Sequence, residues 1–81
     1  MDADTVTSLL REHLQECEVQ VRGEGANYDI TVIGDVFEGQ RPVKRQQLVY
    51  AALADQIAEG AIHAVNIKTY TRDQWRELTG S

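Results

Sequence analysis

The residue in this sequence best suited to chemistry is His63, one of only two histidines in the chain. It lies in the stretch 62–71, which is typical of a strand that opens with this histidine and runs directly into a capped helix. Two interpretations stay open: an ordinary surface histidine, or a neutral imidazole that supplies one nitrogen ligand to a metal. One histidine cannot complete a metal site, so the second interpretation requires ligands from another molecule.

The other candidate ligands are weaker. His13 lies at the border of the apolar stripe of the first predicted helix, where we expect a partly packed boundary residue. Cys17 is the single cysteine, which excludes an internal disulfide framework and a zinc site built from several thiolates. Because the neighbouring Glu16 and Glu18 disfavour a thiolate, we expect a small apolar residue here and no redox role.

No group of residues has the spacing of a catalytic site. The segment Gly23-Glu24-Gly25 is followed neither by Lys-Ser/Thr nor by a helix, so it is not a phosphate-binding loop. Ser8 and Ser81 lie at opposite ends of the chain without a motif around either. We therefore do not expect an enzyme with its own active site.

The charge of the chain argues against broad attraction to nucleic acid or anionic lipid, since the net value is −5. Cationic residues are nevertheless concentrated in one part of the sequence, where they could form a local patch that contacts phosphates. This basic set consists of Arg41, Lys44, Arg45, Lys68 and Arg72. It lacks the interleaved aromatic residues of single-strand binders and the G-x-x-G clamp of KH modules, so a solvated face is the plainer interpretation.

The 81 residues allow one domain, 1–81, with a thin core. No apolar run approaches the roughly 18 residues of a membrane span. The acidic start Met1–Asp4 is unlike a signal peptide, so we expect a cytoplasmic protein that does not bind membranes.

The first half of the sequence predicts one helix and one hairpin. Apolar residues spaced by three and four predict a helix over about 4–15, with Asp4 as its N-cap. Polar and apolar residues then alternate over 18–22 and again over 28–33, as in two half-buried strands joined by the turn 23–27. Tyr28, Ile30 and Val32 are expected to face the same side.

The second half predicts helix, strand and helix. A helix over about 43–59 follows Pro42 in its first turn, and Gly60 is expected to be its left-handed C-cap. A strand over 61–70 leads into the capping box Thr71–Gln74 and a short last helix. Two apolar sets should face inward: Val49, Ala52, Leu53 and Ile57 from the longer helix, and Trp75 and Leu78 from the last one.

The predicted order is therefore α-β-β-α-β-α, an α+β fold. Because a helix connects the second and third strands, these two should pair in parallel through a right-handed crossover. The result is a three-stranded mixed sheet with helices packed on one face.

Two motifs at a characteristic separation resemble the BolA family, in particular its short IbaG-type bacterial branch. They are Phe37-x-Gly39-x-x-x-Val43-x-Arg45-Gln46-Gln47-x-Val49-Tyr50 and Ile62-His63-Ala64-Val65-x-Ile67-x-Thr69-x-Thr71-x-x-x-Trp75. The resemblance covers nearly the whole chain. It implies a fold similar to the type II KH domain, which agrees with the order of elements predicted above.

The resemblance also implies a partner and a cofactor. It implies a monothiol glutaredoxin whose cysteine, with a glutathione thiol, holds a [2Fe-2S] cluster to which His63 adds its imidazole. Many family members carry a second ligand, His or Cys, in the loop between the first two strands, where this sequence has Asn27. An amide is a poor ligand for a cluster iron, so one ligand is expected from this chain. Cys17 is too far upstream in the motif to replace it.

Two other functions stay open. Relatives in the family are linked to transcription control, so the basic set could contact DNA as part of a KH-like regulator of a stress response. Alternatively, the chain is a small protein-interaction domain without metal. In isolation we expect a monomer or a weak homodimer.

Overall fold

Seven regular elements and one 3-10 turn follow one another in the computed structural model, which describes residues 1–80. In chain order they are α1 (Ala3–His13), β1 (Glu18–Glu24), β2 (Asn27–Ile33), a 3-10 turn (Asp35–Phe37), α2 (Pro42–Ala52), α3 (Ala54–Ala58), β3 (Ala64–Tyr70) and α4 (Arg72–Thr79). This confirms the predicted order, with the second predicted helix in two parts. Within residues 1–80, no helix has the length and apolar character that crossing a membrane requires.

The three strands form one mixed sheet in the order β1-β2-β3. β1 and β2 are antiparallel, with Glu24 opposite Asn27 at the hairpin end. β2 and β3 are parallel, in a register that runs from Asn27 opposite Ala64 to Ile33 opposite Tyr70. The parallel pair after a helical crossover confirms the prediction.

The hydrophobic core lies between the helices and one face of this sheet. Tyr28, Ile30 and Val32 are all buried there, as their alternation predicts, against buried residues of α1 and α2 such as Leu10 and Val49. The opposite face of the sheet is polar along most of its length, with the buried Ile33 at the end of β2 as an apolar exception. Its polar residues are Gln20, Arg22, Asp29, Thr31, Asn66 and Lys68, and we call it the open face.

The first helix begins one residue earlier and ends two residues earlier than predicted. Its N-cap is Asp2, not Asp4, and the Asp2 carboxylate accepts a hydrogen bond from the Thr5 backbone N–H at 2.8 Å. That bond lowers the pKa of Asp2. Asp4 is instead an exposed acid in the first turn, where it favours the positive helix end. Two acids two positions apart are both acceptable caps, so the sequence alone does not choose between them.

The predicted helix 43–59 is wrong in its continuity, because the chain turns at Leu53. The Leu53 N–H bonds to the Tyr50 carbonyl, a tighter turn than that of an α-helix, and its side chain is fully buried. After α3, Gly60 has φ +80°, which confirms the predicted left-handed end. The N–H groups of Gly60 and Ala61 bond to the Ile57 and Gln56 carbonyls, the pattern of a Schellman motif.

The third strand begins at Ala64, so the predicted span 61–70 is too long and His63 precedes the strand. One cause is the end of α3, since the Gln56 carbonyl accepts bonds from both Ala61 and Ile62. Those two residues are therefore held by the helix and cannot join the ladder. The hairpin turn is also shorter than predicted, with only Gly25 and Ala26 between β1 and β2.

The last helix begins as predicted but packs differently. The capping box is present: Gln74 N–H donates to the Thr71 hydroxyl, and Thr71 N–H donates to the Gln74 side chain. Trp75 contacts the Tyr70 ring at 5.2 Å between centroids. The prediction for Leu78 is wrong, since 61% of it is exposed. A helix of eight residues docks through its first turns, and Leu78 lies in its last turn.

Replacing Gly23 by alanine is expected to destabilise the fold more than replacing Gly25 in the same hairpin. Gly23 has φ +125°, and a Cβ there would collide with the Asn27 carbonyl oxygen. Gly25 has φ +67° with nothing within 4 Å of an added Cβ, so it carries only the left-handed cost of about 1–2 kcal/mol. Urea unfolding should show a Gly23→Ala loss at least about 1 kcal/mol larger. Equal losses would contradict this description of the hairpin.

Candidate functional site

The backbone of His63 is held between the core and the hairpin turn. Ile62, directly before it, is buried with 2% exposure. The His63 N–H donates to the Ala26 carbonyl at 2.8 Å, and the Ala64 N–H donates to the same oxygen at 3.2 Å. One carbonyl of the turn therefore fixes both the position of His63 and the start of β3.

The side chain of His63 is exposed, in contrast to its anchored backbone. Its Nε2 lies 3.7 Å from the point where a Cβ on Gly60 would stand, so the ring lies beside this glycine at an ordinary contact distance. Within residues 1–80 the ring makes no hydrogen bond, in contrast to the His13 ring. Both ring nitrogens are thus available to another molecule.

Asn27 lies at the same end of the sheet as His63. It is exposed and stands opposite Ala64 in the parallel register, one position from His63. The structure therefore brings His63, the candidate ligand, close to Asn27, which stands where many family members carry a second ligand. Within residues 1–80, no three His, Cys, Asp or Glu side chains lie close enough to hold a metal ion. A metal bound at His63 would therefore need ligands from another molecule to complete its coordination.

Cys17 lies at the opposite end of the sheet and cannot join His63. It precedes Glu18, which stands opposite Ile33, and the seven residues of β1, six steps along the strand, separate that end from the turn. At the rise of a β-strand this is about 20 Å. The prediction that Cys17 does not replace the missing ligand agrees with this separation.

The surroundings of Cys17 also disfavour its thiolate. Burial raises the pKa of the Cys17 thiol, and Arg72 opposes this shift only in part. His13 lines the same shallow depression as Cys17. His13 is classed as exposed, and its Nδ1 lies 3.0 Å from the Leu9 carbonyl oxygen.

Two members of the basic set have structural contacts. Arg45 donates to the Gln40 carbonyl and to the Gln74 side chain, each at 2.9 Å, and its guanidinium lies over the Phe37 ring. It therefore connects the start of α2 to the start of α4. Arg72 donates a hydrogen bond to the Glu16 carbonyl at 2.9 Å. Its Nε also lies 3.7 Å from the Asp35 carboxylate, with which it forms an ion pair.

The other three cations do not form one patch. Lys68 lies on the open face of the sheet, whereas Arg41 and Lys44 are exposed at the start of α2. The positive end of a helix disfavours cations, so Arg41 and Lys44 do not stabilise α2 by charge. Of the five predicted residues, only Arg41 and Lys44 are close to each other in sequence, exposed, and without a side-chain hydrogen bond or ion pair in residues 1–80.

The fold and both motifs agree with a known family. The family model described as BolA-like protein matches residues 5–74. The chain belongs to the BolA family. It is 40% identical over 83 residues to the acid stress protein IbaG of Escherichia coli, with 99% of each chain covered. A solved BolA homologue from Coxiella burnetii superimposes with a TM-score of 0.82 at 31% identity, covering 94% of this chain and 97% of that one.

A second BolA relative has a name that bears on the alternative function. The DNA-binding transcriptional regulator BolA of Vibrio cholerae is 42% identical over 57 residues, which are 70% of this chain and 53% of that protein. The resemblance to the BolA family and the predicted fold class are thereby confirmed. The likeness to type II KH domains stays a prediction.

Sequence reasoning found His63 but missed the two residues that position it. Gly60 was recognised only as a helix end, and Ala26 only as part of a turn. The signal for Gly60 was present, since a left-handed glycine three residues before the histidine determines how the chain leaves α3. No local pattern marks Ala26, because its role depends on a contact made only in the folded chain.

The Cys17 thiol is expected to react more slowly than an unfolded cysteine at pH 8. Because burial raises its pKa, a smaller fraction is thiolate at that pH, and its access is reduced as well. The rate with a disulfide reagent should therefore be lower in buffer than in denaturant. A faster reaction in the folded protein would show that Cys17 is activated.

Proposed function

We propose that this BolA-family chain is a non-enzymatic partner of a monothiol glutaredoxin and supplies one imidazole ligand, from His63, to a shared [2Fe-2S] cluster. The observation that carries the proposal is the contrast at His63 between a ring open to solvent and a backbone anchored by Ala26. Because the chain belongs to the BolA family, we expect the partner to be a monothiol glutaredoxin. The role is iron–sulfur trafficking or sensing of iron and redox state.

Anchoring favours ligand binding because it lowers the cost of ordering. A ligand on a flexible loop loses conformational freedom when it binds, whereas His63 has already lost the freedom of its backbone. The Ala26 carbonyl and the buried Ile62 side chain hold it on both sides. Only the side-chain torsions remain to be fixed by the partner.

The residues at this end of the sheet fit a site with one ligand from this chain. His63 offers an imidazole nitrogen, and Asn27 offers an amide, which a cluster iron rarely takes. The glutaredoxin cysteine and the glutathione thiol supply thiolates in this proposal. The cluster, when bound, supplies its iron and sulfide for transfer or for one-electron chemistry.

An imidazole ligand makes such a cluster easier to release. Replacing a thiolate by a neutral imidazole removes negative charge from one iron and raises its reduction potential. A protonated histidine cannot bind iron, so acid weakens this ligand. This property fits the name of the acid stress relative; the same response in this protein is part of the proposal.

The ligand assignment predicts different results for two neighbouring variants. The full chain is co-expressed with a monothiol glutaredoxin, purified anaerobically and examined by visible circular dichroism. His63→Ala should abolish the spectrum of the mixed complex or convert it to that of the glutaredoxin alone. Asn27→Ala, the matched control at the same end of the sheet, should change it little.

Iron and acid-labile sulfide are measured on the same samples. A His63→Ala complex with the spectrum and iron content of the wild type would exclude His63 as a ligand. A wild-type complex that contains no iron would exclude the shared cluster, although it would still show that the chain binds the glutaredoxin.

The second candidate function is contact with DNA. It is favoured by the name of the Vibrio cholerae relative and by the exposed pair Arg41 and Lys44 at the start of α2. The net charge of −5 opposes it, so any binding should be weak and strongly dependent on salt. Arg45 and Arg72 are less available because they hold other parts of the fold.

If the chain binds DNA through this pair, Arg41→Glu/Lys44→Glu should abolish the mobility shift. Loss of two phosphate contacts should also lower the slope of log affinity against log salt by about 2. Arg11→Glu/Arg76→Glu, which changes the net charge equally on exposed residues elsewhere, is the control. Equal loss in both variants would indicate nonspecific charge attraction, and no shift in the wild type would remove this candidate.

A further inference from the structure

The outer edge of β1, the side that is not bonded to β2, has a charge pattern complementary to itself. β1 is an end strand in the order β1-β2-β3, so every second residue directs its N–H and C=O outward. Its exposed residues include the acid Glu18 and the base Arg22, four positions apart on the same face. Neither forms an ion pair within residues 1–80.

A twofold axis through Gln20 would bring these opposite charges together. In an antiparallel pair of two β1 strands centred on Gln20, Glu18 of each copy stands opposite Arg22 of the other. Glu18 lies on the same side of β1 as Gln20 and Arg22, so both charge pairs lie on the open face of the sheet. On the helix-facing side, the same register places Val19 opposite Val21, and Val21 is only half-buried in one copy.

The charges also select this register over its neighbours. A shift by two residues, centred on Val21, would place Glu18 opposite Glu24 of the other copy, which is unfavourable. The opposite shift, centred on Val19, would leave Glu18 opposite the uncharged Gln20, and Arg22 would face Glu16, which precedes the strand. A shift by one residue would pair the open face of one copy with the helix-covered face of the other. Only the register centred on Gln20 joins both charge pairs and keeps the two open faces on the same side.

We infer that the partner of this edge is a second copy of the chain, joined by antiparallel β1 strands into one continuous six-stranded sheet. The contact is isologous, so it closes after two copies and does not propagate. β3 is the opposite end strand, so His63 at its start stays away from the contact. The dimer therefore goes beyond the proposed function and does not depend on a cluster or on a glutaredoxin.

The pairing is tested by exchanging the two charges. Sedimentation equilibrium of the full chain at low ionic strength measures the dimer dissociation constant, because salt screens exposed pairs. Glu18→Arg places two arginines opposite each other at both ends of the contact, and Arg22→Glu places two acids there. Each single variant should raise the dissociation constant about tenfold or more. The double variant Glu18→Arg/Arg22→Glu restores opposite charges and should return it to within about threefold of the wild type.

Two variants control for net charge. Glu77→Arg on α4 matches Glu18→Arg, and Lys68→Glu on β3 matches Arg22→Glu, since each lies outside β1 and is exposed. Neither should alter the dissociation constant, and circular dichroism verifies that every variant is folded. A wild-type chain that stays monomeric at all soluble concentrations would overturn the inference. A dimer insensitive to the single variants, or one that the double variant fails to restore, would also overturn it.

Discussion

The hydrogen bonds accepted by the Ala26 carbonyl determine where the third strand begins. This oxygen takes the N–H groups of both His63 and Ala64, and the parallel register of β2 and β3 starts at that point. Were the ladder to begin earlier, His63 would become a strand residue and share the constraints of the sheet. The hairpin turn and the Schellman motif at Gly60 thus act together to hold a histidine at the rim of the sheet, with its ring free.

The rest of the fold keeps this rim apart from the other chemical groups. One face of the sheet is closed by α1 and α2 around a single core, and the other face is mostly polar. The thiol of Cys17 is at the far end, beside Gly34, where burial raises its pKa and the nearby Arg72 offsets part of that shift. The side chains of Arg45 and Arg72 donate hydrogen bonds that connect loops to helix starts, so they are less available to bind a phosphate. What remains near His63 is the exposed amide of Asn27.

The order of elements, the faces of the strands and the caps could be predicted because they depend on nearby residues. Alternation identified Tyr28, Ile30 and Val32 as core, and Thr71 with Gln74 identified the start of α4. The break at Leu53 could not be predicted, since no glycine or proline marks it and the turn follows from burial of the leucine. The start of β3 was missed for a similar reason: the contacts that set it join distant parts of the chain.

The candidate site shows the same division. The family motif identified His63, and its ring is exposed as that role requires, but the anchoring through Ala26 and Gly60 was visible only in the fold. The basic set resembled a patch because its members are near in sequence. Folding separates Lys68 from Arg41 and Lys44, and it engages the other two in hydrogen bonds.

Pulsed electron paramagnetic resonance on a reduced complex tests most directly whether His63 binds the cluster. The full chain, carrying ¹⁵N-labelled histidine and His13→Gln so that one labelled ring remains, is combined anaerobically with an unlabelled holo-glutaredoxin. A directly bound imidazole should give a strong ¹⁵N hyperfine coupling that disappears with unlabelled protein. A reduced cluster in the mixed complex with no such coupling would contradict the assignment of His63 as its ligand.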